Sequence, residues 1–80
     1  MPEQPQKVLV TRLLANMGLA DKWRVLHTRY DLPNFVRIER MTDGLRAGLA
    51  MTVRQTHVMD DEELTKRIRF AIATALRQGR

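Results

Sequence analysis

Between residues 35 and 53, apolar and polar positions alternate on both sides of an Asp43-Gly44 pair. Alternation with a period of two marks a half-buried strand, because successive side chains point to opposite faces. Asp-Gly favours a two-residue type I′ hairpin loop, since both central residues there need a positive φ. That loop sets Thr42 opposite Leu45, Arg40 opposite Ala47, Ile38 opposite Leu49 and Val36 opposite Met51. One face then carries Val36, Ile38, Ala47, Leu49 and Met51, with Arg40 near the turn. The other carries Phe35, Arg37, Glu39, Met41, Arg46, Gly48, Ala50, Thr52 and Arg54. A three-residue loop, Thr42 to Gly44, would bring Arg37 and Glu39 onto the Leu49 face. Such a one-residue slip is strongly disfavoured when one face is buried.

The flanking segments read differently. Residues 1–6 hold two prolines and no apolar period, which predicts a disordered lead-in. Val8, Leu9, Val10, Leu13, Leu14 and Met17 recur at helical spacing and predict a helix from about Gln6 to Met17, closed by Gly18 in the left-handed position. Residues 22–30, KWRVLHTRY, carry the β-branched and aromatic content of a strand, while the spacing of Leu19, Trp23, Leu26 and Tyr30 is helical. Read as a strand, and joined by a turn over 31–34, this stretch pairs Tyr30 with Phe35 and makes a three-stranded meander. The third strand is expected to run on through 54–58. The final helix is the clearest: Asp60 is placed to cap it, Glu63 completes a box-like pair, and Met59 and Leu64 form a staple. It should extend to about Arg77, with Leu64, Ile68, Ala71, Ile72, Ala75 and Leu76 as its core stripe. Lys66, Arg69, Arg77 and Arg80 make a second, basic stripe.

These elements predict a small α+β domain over residues 7–80, ordered α-β-β-β-α, an antiparallel meander with the helices on one face. A helical 22–30 segment would give α-α-β-β-α instead, which invites a helix-turn-helix-with-wing reading. The first order resembles that of double-stranded RNA-binding domains, at the level of element order alone. Those domains start their last helix with basic residues that meet phosphates, and this chain has Asp60, Asp61, Glu62 and Glu63 there.

Composition changes the picture in two respects. The 80 residues carry a formal net charge of +5, with 14 basic residues against 9 acidic ones. That balance suits nucleic acid or an acidic protein surface as partner, and it is equally ordinary solubility charge. The chain has no cysteine, so neither a disulfide nor a thiolate metal site can form. The N-terminal residues lack the charged start and apolar run of a secretory signal, and no segment approaches the ~20 apolar residues of a membrane span. The expectation is a cytoplasmic protein without a membrane partner.

Candidate chemistry is sparse. The chain contains neither serine nor cysteine, and its threonines sit in no nucleophile elbow or triad. There is no glycine-rich phosphate loop. His27 and His57 are too far apart to suggest a zinc pair, and helix capping accounts for the acidic run 60–63 better than a cation site does. No enzyme activity, cofactor or metal is expected. The open sheet face is the leading candidate: Arg24, Arg37, Arg46 and Arg54 for phosphates, Tyr30 and Phe35 for stacking on unpaired bases, with Thr52 beside them. Lys66 and Arg69 extend the basic surface onto the last helix. The expected function is a non-enzymatic module that contacts nucleic acid, RNA or DNA, through this face. The alternative is a small protein-interaction adaptor or inhibitor of the kind mobile elements encode, since Tyr, Phe, Met and Arg are also enriched at protein interfaces. A homodimer through the edge of the strand containing residues 45–53 is a third expectation.

Overall fold

The computed structural model describes residues 5–26 and 34–78. Helix α1 spans Pro5–Asn16, strands β1, β2 and β3 span Trp23–Val25, Phe35–Arg40 and Arg46–Ala50, and helices α2 and α3 span Val53–Val58 and Asp61–Gln78. The strands form one antiparallel sheet in the order β1-β2-β3. This is the small α+β domain that the pattern predicts, with one additional short helix.

α1 starts with Pro5, whose fixed φ suits a first helical position, and Gln6 is already buried. Residues 5 and 6 therefore belong to the helix and not to the lead-in. The helix ends in a Schellman motif, with Gly18 at φ +74°. The Leu19 N–H donates to Leu14 O at 2.8 Å, and the Gly18 N–H donates to Ala15 O at 3.1 Å. The chain then turns into β1, so Trp23–Val25 of the 22–30 segment is strand and the α-α-β-β-α order does not form. The remainder of that segment, with Tyr30 and His27, lies outside the described residues.

Both strand registers differ from expectation by two residues. β1 sets Arg24 opposite Glu39, where pairing Tyr30 with Phe35 would have set Leu26 there. In the hairpin Val36 faces Leu49 and Ile38 faces Ala47. The Arg40 N–H donates to Leu45 O at 2.7 Å, so the loop is the four residues 41–44. Only Gly44 takes a positive φ, +76°, and without one at Asp43 the type I′ turn cannot form. Asp43 instead closes the loop through its carboxylate. Its Oδ1 accepts from the Leu45 N–H at 3.2 Å and from Arg40 Nε at 3.0 Å, and its Oδ2 accepts from Arg40 Nη2 at 2.6 Å. Because a shift of two is even, every side chain within β2 and β3 keeps its predicted face. Val36, Ile38, Ala47, Leu49 and Met51 are all buried, and Arg40 lies half-buried with its guanidinium 5.9 Å from the centre of the Trp23 ring.

The predicted strand over 54–58 is a helix, α2. Thr52 and Gln55 form a complete capping box: the Gln55 N–H donates to Thr52 Oγ1 at 3.1 Å and the Thr52 N–H donates to Gln55 Oε1 at 2.8 Å. Asp60 caps α3 as predicted, accepting the Glu63 N–H at 2.8 Å. Leu64, Ile68, Ala71 and Ala75 bury the face of α3 that covers β3, while α1 covers β1 and packs on α2 and α3. Ile72 is only partly buried and Leu76 is 48% exposed, because both sit one step round the helix from the buried row.

Candidate interaction site

The open face of the sheet is built from three rows that cross the strands. In the first, Arg24, Glu39 and Arg46 lie side by side on β1, β2 and β3. Both arginines turn onto the acid between them: Arg24 Nη2 reaches Glu39 Oε1 at 2.6 Å and Arg46 Nε reaches Glu39 Oε2 at 3.2 Å. The hydrogen bond from Arg24, then that from Arg46, holds the Glu39 carboxyl below the ordinary glutamate value. In the second row the Leu26 N–H donates to Arg37 O at 2.9 Å, and Arg37 faces Gly48. Among the described residues Arg37 has no ion-pair partner. The third row pairs Phe35 with Ala50. The Phe35 ring reaches back over Gly48, so a Cβ on that glycine would lie 2.3 Å from Phe35 Cζ. A larger residue there would push the ring aside.

The structure gathers Arg24, Phe35, Arg37 and Arg46 on one face, as predicted. Thr52 and Arg54 leave it, because the strand ends at Ala50 and both residues enter α2, Thr52 as its cap. Tyr30 is outside the described residues. The basic stripe of α3 divides. Lys66 stands 3.8 Å from Glu62 and lines a groove on the β3 side, whereas Arg69 lines another, of about 320 Å³, with Met17, Leu19, Ile72 and Leu76. The acidic run is similarly dispersed: Asp60 caps, Asp61 pairs with Arg12 at 3.0 Å, and Glu63 borders the β3 groove.

That β3 groove was not anticipated as a site. It has a volume of about 700 Å³ and runs between β3 and α3, lined on the helix chiefly by Arg67, Phe70, Ala71, Thr74 and Ala75. Phe70 is 69% exposed, so a large aromatic borders the groove without being part of the core. The far edge of β3 opens into it. Antiparallel partners alternate between hydrogen-bonded and non-bonded pairs. The Arg40 N–H bonds Leu45 O and the Met51 N–H bonds Asn34 O, so residues 45, 47, 49 and 51 point their backbone groups at β2. The N–H and C=O groups of Arg46, Gly48 and Ala50 consequently face the groove, and among the described residues no strand pairs with them. Arg67 Nη1 lies 3.5 Å from Ala50 O, a long contact that shields one end of this edge. The sequence signal for the groove was the row Glu63, Arg67, Phe70, Thr74 and Gln78, which runs at helical spacing beside the buried row.

No family model matches the chain, and neither curated proteins nor solved structures show a match to it. Among the described residues no helix is long and apolar enough to cross a membrane.

Proposed function

We propose that this chain is a small, non-enzymatic protein-interaction module whose working surface is the β3 edge and the groove beneath α3. The observation that carries this reading is the run of outward-facing backbone groups at Arg46, Gly48 and Ala50, which no strand pairs among the described residues, beside an exposed Phe70. An extended segment of a partner can add to such an edge, taking affinity from main-chain hydrogen bonds and selectivity from alternate side-chain positions. Edges of this type are normally short, charged or covered. Here β3 is short and carries Arg46, while its only cover among the described residues is the Arg67 side chain near Ala50.

A second reading, nucleic-acid binding by the open sheet face, is favoured by Arg37 and by the Phe35 ring laid over Gly48. It is weakened by Glu39, which occupies both Arg24 and Arg46. Tagged capture after nuclease treatment separates the two readings. On the first, a partner protein is retained at defined stoichiometry by the parent chain and by Arg37→Glu, and is lost with Ala50→Pro. Proline at that position removes only an outward N–H, which is where strands tolerate it. On the second, bound material disappears with nuclease and with Arg37→Glu, and Ala50→Pro has no effect.

A further inference from the structure

The charges around the β3 groove carry the interaction reading further, to the chemistry of the partner; the inference rests on the strand-addition reading above. Arg46 stands at one end of the exposed edge; it bonds Glu39 through Nε at 3.2 Å, and its side chain is 60% exposed, open to a second carboxylate. Arg67 lies at the other, against Ala50 O, with Lys66 also on the wall. Among the described residues Glu63 is the only acid that lines the groove. Between these ends the lining is small or apolar: Gly48, Ala71, Thr74, Ala75 and the exposed Phe70 ring. From Arg46 to Ala50 the strand rises ~13 Å, so the cationic ends are about four residues apart along any segment paired with it.

We infer that the groove takes an extended segment of a partner protein that is acidic at both ends and apolar between them, added as a fourth strand along β3. Its main chain would pair with Arg46, Gly48 and Ala50. Alternate apolar side chains would rest on Ala71, Thr74 and Phe70. Carboxylates at the ends would meet Arg46 on one side and Lys66 with Arg67 on the other, releasing Arg67 from Ala50 O. A second copy of this chain fits poorly. Antiparallel pairing of β3 with itself would bring Arg46, Lys66 and Arg67 of both copies to one seam, against a single Glu63 from each among the described residues. Like charges gathered across an interface oppose association.

The test uses three end-blocked heptapeptides, EEVTVEE, TTVTVTT and KKVTVKK, titrated into the whole chain and followed by backbone amide NMR. EEVTVEE is expected to shift the amides of Arg46, Gly48 and Ala50, with affinity at least about tenfold above KKVTVKK and falling as salt rises, as several exposed charge pairs of one sign would produce. Ala50→Pro, checked as folded by its retained core resonances, should abolish those shifts. Equal affinity for all three peptides would overturn the acidic partner while leaving strand addition intact. Failure of every peptide to move the edge amides at millimolar concentration would overturn both. Undiminished EEVTVEE binding by Ala50→Pro would also overturn both, since the contact would then lie elsewhere. A concentration-dependent dimer in which the same amides become protected would replace the acidic partner with a second copy.

Discussion

The Phe35–Gly48 contact predicts a coupling that can be measured. A Cβ at Gly48 would stand 2.3 Å from Phe35 Cζ and 2.6 Å from Cε1. Carbon atoms in ordinary contact are ~3.5–4.0 Å apart, so in Gly48→Ala the ring must retreat by more than 1 Å. The ring is half-exposed on the open face and can swing outward, which sacrifices packing but breaks no core contact. Full burial of a Phe side chain contributes ~1.5–3 kcal/mol, so displacing a half-buried ring costs about 1 kcal/mol. Against this, alanine is better than glycine within a strand by ~0.5–1 kcal/mol. The two terms nearly cancel, and Gly48→Ala alone should change stability by less than about 0.5 kcal/mol. With Phe35→Ala in the background the clash is gone, and Gly48→Ala should stabilise by the full ~0.5–1 kcal/mol. Urea unfolding of the four proteins gives the interaction term directly, expected near 1 kcal/mol and readable if the slopes agree. Strict additivity would show that the ring does not lie on Gly48, and would remove Phe35 from the open face as a positioned aromatic.

Three further outcomes follow from the same geometry. Thr52→Ala deletes the hydroxyl half of the α2 capping box and should cost ~1 kcal/mol, seen as a fall of roughly 4–8 °C in Tm; no change would mean that residues 53–58 do not hold a capped helix. Ile38→Ala empties a fully buried site at the centre of the sheet and should cost ~2–5 kcal/mol in urea unfolding, a large share of what a domain of this size possesses. Acid should weaken the fold through two carboxyls that are lowered in the folded state: Asp43, held at about 2 by Arg40 and the Leu45 N–H against 3.8, and Glu39, held below 4.5 by Arg24 and Arg46. A depressed folded value stabilises above the unfolded one and is lost as pH falls through it, so urea midpoints should drop between pH 4.5 and about 2. Asp43→Asn with Glu39→Gln should flatten that dependence, and an unchanged slope would refute the assignment.

The faces of the hairpin were legible because side-chain alternation has a period of two and tolerates an even error in register. Val36, Ile38 and Leu49 reached the core although their partners were each assigned two residues away. The loop was not legible, because Asp43-Gly44 serves two turn chemistries, and the pairing of Arg40 with the Asp43 carboxylate decided between them. α2 was hidden by β-branched residues at 53, 56 and 58. The signal against a strand was the Thr52-x-x-Gln55 box, which local propensity does not register. For the site, periodicity placed Arg24, Arg37 and Arg46 on the open face, yet which of them Glu39 would occupy depends on strand register. The groove was missed because its helix wall, with Arg67, Phe70 and Thr74, is a mixed row beside the core stripe. Its meaning appears only once β3 is known to be an edge.

The open edge of β3 is the claim on which the interaction reading stands, and amide hydrogen exchange of the free chain tests it most directly. Backbone groups paired across the ladder exchange slowly, and those facing solvent exchange quickly. Slow exchange is expected at Ala47, Leu49 and Met51 and fast exchange at Arg46, Gly48 and Ala50, an alternation that persists as protein concentration is raised. Uniform protection from residue 46 to residue 51 in the free chain would show that the edge is already occupied, and would contradict the proposed interaction surface.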